Sequence, residues 1–304
     1  MRLIGKRWPL ARGVQATALA FAFPLALSAI GSPGQGPWLG QAEPGATPVP
    51  FAKEFFVTID PFVETCDFSP DGTVCVISVG SADYRKSRLL WSRQAKGGWS
   101  DFEPAPFTAG FAYANEPVFA RDGSSLVFTG AKAPGNKDFW SVPYAKGTWG
   151  QPVALPEPVN SPADEFRPCF QPDGTIWFVS SRDGGMNQLY RAVKEGSGSY
   201  AVTKLPPSIN TGNWECDPCV PADGRFLVFF SAIDQKSTDM YAVFPDGKGG
   251  WGPWIKARPG FNTGNDEYGA HLTADGRFLF FTRHAATGNT ILWVSVKAID
   301  ALGN

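Results

Sequence analysis

The chain has 304 residues and a net charge of −1, with 43% hydrophobic and 14% aromatic side chains, 34 Gly and 27 Pro. That supply of Gly and Pro excludes a helical bundle, and so many aromatics exclude a disordered chain. No block of Lys or Arg follows the N-terminus, so a phosphate-tracking nucleic-acid binder is excluded as well.

Residues 1–12 (MRLIGKRWPLAR) carry Arg2, Lys6, Arg7 and Arg12, and an apolar stretch over 13–30, interrupted by Pro24, ends in small residues. A basic head, an apolar middle and small residues at the end predict a secretory signal peptide over 1–29. Cleavage is expected near Ser28 or Ala29, with Gly40-Gln41-Ala42 as a second candidate. An N-terminal membrane anchor is the alternative reading of the same stretch. Residues 30–50 are rich in Pro and Gly and read as a linker. The chain is therefore expected to be exported, to the periplasm or beyond, with no stable membrane span once the leader is removed. Losing the basic head leaves 23 cations against 28 acids.

From residue 51 onward one unit recurs. Asp-Gly stands at Asp71-Gly72, Asp122-Gly123, Asp173-Gly174, Asp223-Gly224 and Asp275-Gly276, at steps of 51, 51, 50 and 52 residues. The flanks recur too, as in PVFARDGSSLVFTG, PCFQPDGTIWFVSS and PCVPADGRFLVFFS. Each unit reads as a short apolar strand, a tight turn in which Gly supplies a positive φ, and a β-branched and aromatic strand. A third strand follows, such as Leu89-Leu90-Trp91 or Asp239-Met240-Tyr241-Ala242-Val243, and then a fourth segment centred on an aromatic, such as Thr148-Trp149-Gly150. Four short antiparallel strands per unit make one blade of a β-propeller. The sequence thus predicts an all-β, five-bladed propeller of four-stranded blades over 51–304, expected to be monomeric. The fifth unit lacks its fourth segment, and residues 54–59 (EFFVTI) are expected to supply that outer strand and close the ring.

The units resemble the TolB-type, WD-like propeller repeat of bacterial envelope proteins. The third is nearest to it: Asn160-Ser161, Glu165-Phe166-Arg167-Pro168, Phe170-Gln171-Pro172-Asp173-Gly174, Phe178-Val179-Ser180-Ser181-Arg182 and Gly184-Gly185 before Leu189-Tyr190. The second unit departs at Arg121 and the fifth at Gly269-Ala270, where the pattern has Pro. The resemblance covers residues 51 to about 297 and implies a propeller that scaffolds or binds, or is appended to an enzyme.

Ahead of each Asp-Gly stands a Glu: Glu64, Glu116, Glu165, Glu215 and Glu267. In the last three units it lies eight residues before the Asp, and five residues after Asn160, Asn210 or Asn262. On a propeller these loops open the innermost strands, so the carboxylates are expected near one mouth of the axial channel. One reading is an anionic ring for a cationic group; the other is that each Glu and Asn satisfies backbone N–H groups between blades. Arg167, Trp214, Asp217, Asp266 and His271 break the repeat and are the better candidates for binding. Two His cannot build a multi-His metal site, and no metal or cofactor is expected. No nucleophile elbow, metalloprotease helix or phosphate loop is present. Five Cys, at 66, 75, 169, 216 and 219, are an odd number for an oxidising compartment, and their pairing stays open. The reading is a non-enzymatic propeller binding an unidentified protein or glycan ligand. The alternative is a carbohydrate-active propeller pairing Asp217 or Asp266 with a ring Glu.

Overall fold

A computed structural model of the chain describes residues 34–132, 135–196, 198–233 and 236–303. The expected leader lies outside the described residues. Five antiparallel sheets follow one another along the chain, and the first strand of each packs beside the first strand of the next. Blade 1 runs through Val63–Phe68, Val74–Gly80 and Ser87–Ala95, with Gly98–Trp99 and Glu103–Pro104 at its outer edge. Blade 2 has Tyr113–Phe119, Ser125–Ala131 and Asp138–Ala145, edged by Thr148–Trp149 and Val153–Ala154. Blade 3 is Glu165–Phe170, Ile176–Ser180, Gln188–Lys194 and Tyr200–Lys204, and blade 4 is Cys216–Cys219, Leu227–Ser231, Asp239–Val243 and Ile255–Lys256. Blade 5 is Asp266–Leu272, Phe278–Ala285 and Gly288–Ser295, and its outer strand comes from the other end of the chain. The protein is a five-bladed β-propeller.

The period lies in the turns. In all five, the Gly N–H donates to the carbonyl three residues earlier at 2.7–3.0 Å, with the Gly at φ 66–83°. The Asp Oδ1 accepts the N–H two residues further on: Thr73 N donates to Asp71 and Arg277 N to Asp275, both at 3.0 Å. An Asx bond followed by a left-handed residue is what Asp-Gly provides at least strain. Between the blades the second and third strands bury their aromatic and branched side chains, with Phe128, Phe139, Phe178, Phe229 and Phe281 fully enclosed.

The ring closes with an N-terminal strand, as the missing fourth segment requires, but not with residues 54–59. Val49–Pro50 pairs with Gly288–Ser295 in the register Val49↔Trp293 and Pro50↔Leu292. Pro50 suits this place because an edge strand can spare an N–H. Lys53–Ile59 is a helix, entered through Ala52 at φ 43°. With the edge already filled, the β-type composition of EFFVTI is overridden by packing. Phe56 buries against Phe51, and Phe55 stacks on Phe102, each at 5.9 Å between ring centroids. The stretch read as a linker also enters the core. Trp38 stands edge-on to Phe68 at 5.1 Å and to Phe278 at 6.0 Å, Leu39 is fully buried, and Trp99 Nε1 donates to the Gly36 carbonyl at 3.1 Å. These residues bridge blades 5 and 1, the seam where the two ends of the chain meet. Leu39→Ala is accordingly expected to cost about 2–5 kcal/mol of stability by urea denaturation, the range of a buried Leu truncation, whereas a linker leucine would cost nothing.

Candidate functional site

Two sets of polar residues hold the blades in register at the end where the chain enters each inner strand. Asn160, Asn210 and Asn262 reach back to the third strand of the preceding blade: Asn160 Oδ1 accepts Phe139 N at 2.8 Å, and its Nδ2 donates to the Phe139 and Leu155 carbonyls at 3.0 and 2.9 Å. Asn210 and Asn262 repeat this on Leu189 and Met240. Glu165, Glu215 and Glu267 are fully buried and close the loop that leads into their own strand. Glu165 accepts Ser161 N and Oγ at 3.0 and 2.6 Å and Glu267 accepts Thr263 N and Oγ1 at 3.2 and 2.7 Å; Arg182 and Arg283 are their ion-pair partners. Glu215 accepts Thr211 Oγ1, Gly212 N and Asn213 N. These three carboxylates are structural caps.

Glu64 and Glu116 stand elsewhere. Each inner strand carries a bulge, and in blades 2 to 5 it falls at the same step. Glu116, Arg167, Asp217 and Gly269 occupy it, all with positive φ, at 57°, 53°, 54° and 79°. Arg167 lies at the centre: its Nε is 3.3 Å from Glu116 Oε1 and 3.7 Å from Asp217 Oδ1. The backbone completes the ring, with Arg167 N donating to Glu116 Oε2 and Gly269 N donating to Asp217 Oδ2, both at 2.7 Å. Glu116 also accepts Thr129 Oγ1 at 2.6 Å. A methyl group on Gly269 would meet the Arg167 guanidinium at 2.8 Å, so a side chain there would have to push that guanidinium aside. Glu64 joins through Asn115 Nδ2 at 2.8 Å, and its carboxyl fills the space that a side chain at Gly80 would need.

Burial works against the charge of Arg167, and the surrounding Glu116 and Asp217 more than offset it, holding the guanidinium charged. Burial raises Asp217, opposed by Arg167. Burial also lifts Glu64 to about 7 against Arg167 and Asn115, and Asp67 to about 7 against the N–H groups of Phe119 and Phe68. His271 stacks on Phe280 at 5.2 Å and 14°, and burial with the Arg167 charge pushes it down to about 4, so it is neutral at neutral pH.

Below this layer the axis opens toward the Asp-Gly turns as a funnel of about 40 Å³ lined by Asp67, Arg121, Arg167, Cys169 and His271 among apolar residues. Arg121 crosses its mouth, donating to the Ala274 carbonyl at 2.8 Å. At the opposite end Tyr84, at φ 58°, lies over Tyr268 and His284 with centroids 5.9 and 5.0 Å away. On that same end Met186, Trp214 and Ile233 are about half exposed, at 52%, 54% and 46%. Trp214 takes the place held by Asp164 in blade 3 and by Asp266 in blade 5. Those aspartates accept Lys137 N and Thr238 N from the preceding blade, each at 2.9 Å. Blades 3 and 4 have no such bond among the described residues, because an indole stands where the acceptor would be.

Of the residues singled out from sequence, Glu64, Glu116, Arg167 and Asp217 come together on the axis, with His271 one layer toward the turns. Glu165, Glu215 and Glu267 do not join them, so the five Glu do not form one ring. Asp266 is an inter-blade staple, and Trp214 faces solvent. Asp67, Asn115, Tyr84 and Arg121 were missed. Asp67 had a signal: it lies four residues before Asp71, the position of Cys169, Cys219 and His271 in their units. Among the described residues no group of three or more His, Cys, Asp or Glu is arranged to hold a metal, and no helix is long and apolar enough to cross a membrane.

No family model matches the sequence, and no curated protein matches it. Solved structures do. A TolB-assigned protein of Agrobacterium tumefaciens superposes with TM-score 0.53 at 16% identity, over 78% of each chain. TolB of Acinetobacter baumannii gives 0.47 at 15%, over 76% of this chain and 53% of its own, so the present chain spans about half of it. The periplasmic gluconolactonase of Pseudomonas aeruginosa gives 0.43 at 17%, over 73% and 65%. The Agrobacterium likeness shows the TolB-type propeller fold, with no activity attached.

The raised carboxyls predict a pH dependence with a defined sign. The folded chain keeps protons on Glu64 and Asp67 that the unfolded chain releases above its ordinary values of 4.5 and 3.8, so stability falls as pH rises from about 4 to 7. His271 works the other way between about 4 and 6.5, one group against two. Glu64→Gln is expected to flatten the fall in urea midpoint across this range relative to the native chain; an unchanged slope would contradict the assignment.

Proposed function

We propose that the chain is an exported, non-enzymatic propeller that docks a protein partner or another ligand on the end where the loops enter the inner strands. One observation carries this. Of the seven large apolar side chains exposed among the described residues, Tyr84, Met186, Trp214 and Ile233 all stand on that end. Tyr84 and Trp214 are held there at φ 58° and 60°, a backbone state that bulky residues avoid unless the surroundings impose it. Met186 and Trp214 flank the seam between blades 3 and 4, which lacks the aspartate staple found at seams 2–3 and 4–5, so exposed surface stands there in place of a structural contact. Half-exposed aromatic and Met side chains are what interface hot spots are built from.

The carbohydrate-active reading draws less support. A glycosidase needs two carboxylates free to face a sugar, roughly 5–10 Å apart. Here Glu165, Glu215 and Glu267 are closed under their own loops, Glu116 and Asp217 are held by Arg167, and Asp266 is bonded to Thr238 N. A lectin-like role on the exposed Trp214 indole remains compatible with the same patch. The leader-like N-terminus supports delivery to the periplasm or outside, the even mixture of charges gives no nucleic-acid face, and we take the working form as a monomer.

Trp214→Ala is the test. Loss of a hot-spot tryptophan weakens binding by about 2 kcal/mol or more, roughly thirtyfold. The native chain is expected to capture a partner from envelope extract, or a sugar from a glycan array, and Trp214→Ala to lose it with an unchanged urea midpoint. Equal capture by both chains would remove this face from the account.

A further inference from the structure

Cys169 and Cys219 occupy the same register position in blades 3 and 4, four residues before Asp173 and Asp223. Their strands are neighbours on the axis, and the two thiols interact across the seam. Val220 N–H donates to Cys169 Sγ at 3.3 Å, and the thiol form donates to the Val220 carbonyl at 3.6 Å. The two sulfurs nevertheless have different surroundings. Cys169 is partly exposed and lines the funnel, whereas Cys219 is fully buried behind it. Arg121, the residue by which blade 2 departs from the usual Pro, brings a guanidinium to the same wall. One of its N–H groups is spent on the Ala274 carbonyl, and its buried Nε has no hydrogen-bond partner.

This is the environment that makes a thiol react: a positive charge, a backbone donor aimed at the sulfur, and a path to solvent, with a second thiol within reach. The Cys219 thiol, then the Val220 N–H and the Arg121 charge, hold Cys169 below the ordinary thiol value against burial. Burial pushes Cys219 up. The contrast in exposure assigns the roles, since only Cys169 meets what enters the funnel. We propose that Cys169 and Cys219 are a peroxide-reactive pair, Cys169 attacking and Cys219 resolving, which a small hydroperoxide entering the funnel converts into a disulfide joining blades 3 and 4. The Cys169 thiolate attacks one oxygen of hydrogen peroxide. The O–O bond breaks and its electron pair leaves with the other oxygen as hydroxide, which takes a proton to become water, leaving Cys169 as its sulfenic acid. The Cys219 sulfur then attacks the Cys169 sulfur, the S–O bond breaks, and the departing hydroxide leaves as water with the Cys219 proton. Two thiols lose two electrons, and one peroxide becomes two waters. A funnel of about 40 Å³ has room for a few water-sized molecules, so hydrogen peroxide enters and a glutathione-sized disulfide does not.

The experiment uses the reduced full chain exposed to hydrogen peroxide. Free thiols are expected to fall from five to three, with the loss of two hydrogens by intact mass and a peptide map linking Cys169 to Cys219. Cys219→Ser is expected to stop at the sulfenic acid, trapped on Cys169 by dimedone. Arg121→Gln is expected to slow the reaction about tenfold at neutral pH, as one unit of thiol pKa would. Five thiols surviving peroxide, a link mapped to Cys66 and Cys75, or oxidised glutathione reacting as fast as peroxide would each overturn the proposal. The native chain alone decides all three, whether or not the variants fold.

Discussion

Each inner strand in blades 2 to 5 holds one residue more than its partner strand can pair, and the extra N–H has to be satisfied inside the ring. A buried N–H left without an acceptor costs about 1–3 kcal/mol, so this cannot be ignored at several places round one axis. In blades 3 and 5 the preceding blade supplies the acceptor, Glu116 for Arg167 N and Asp217 for Gly269 N, while in blade 2 Glu116 N turns to Asn115 Oδ1 of its own strand; one layer down, Asp67 takes Phe119 N and Cys169 takes Val220 N from the next blade. Turning the bulge residue left-handed costs roughly 1–3 kcal/mol for a non-Gly residue. A hydrogen bond to a charged acceptor returns about 1.5–3 kcal/mol and at the same time joins one blade to the next. The rest of the ring depends on this exchange.

Carboxylates placed on the axis for that purpose need a counter-charge, and Arg167 is it. Its guanidinium lies between blades 2, 4 and 5, which explains why the fifth bulge residue is Gly269 and why Glu64 sits protonatable to one side, against Gly80. The same economy removes these acids from chemistry. A carboxylate that holds a neighbour's backbone and faces an arginine cannot also serve as a free acid or base for a ligand.

What is left to vary lies at the two ends of the axis, and there the repeat is broken. At one end an aspartate staple is replaced by Trp214, which exposes the blade 3–4 seam and its apolar neighbours. At the other, Arg121 replaces a turn Pro, and Cys169 and Cys219 stand where the other blades carry Asp67, Val118 and His271. The tryptophan and the two cysteines fall on the same pair of blades, with Arg121 reaching in from blade 2. Departures from a repeat are visible in sequence, and Arg167, Trp214, Asp217 and His271 were found in that way. Their depth was not visible. A repeat says which strand a residue belongs to, while its burial depends on what four other blades bring to the axis.

The amino-acid sequence by itself determined the number of blades, their order and their turns, because Asp-Gly geometry and strand composition are local and recur every 51 residues or so. It also implied that the last blade must borrow a strand from the N-terminus. Only the tertiary structure decided which residues do so. Val49–Pro50 fits the edge because the pairing is short and one N–H is dispensable, while EFFVTI, the better strand by composition, winds into a helix that carries the chain to blade 1. The same holds for the acids. Five Glu at nearly equal spacing look like one ring, yet Glu116 is itself the bulge residue and faces the axis, whereas Glu165, Glu215 and Glu267 stand two residues before the bulge, at the strand entrance, where the incoming loop closes over them.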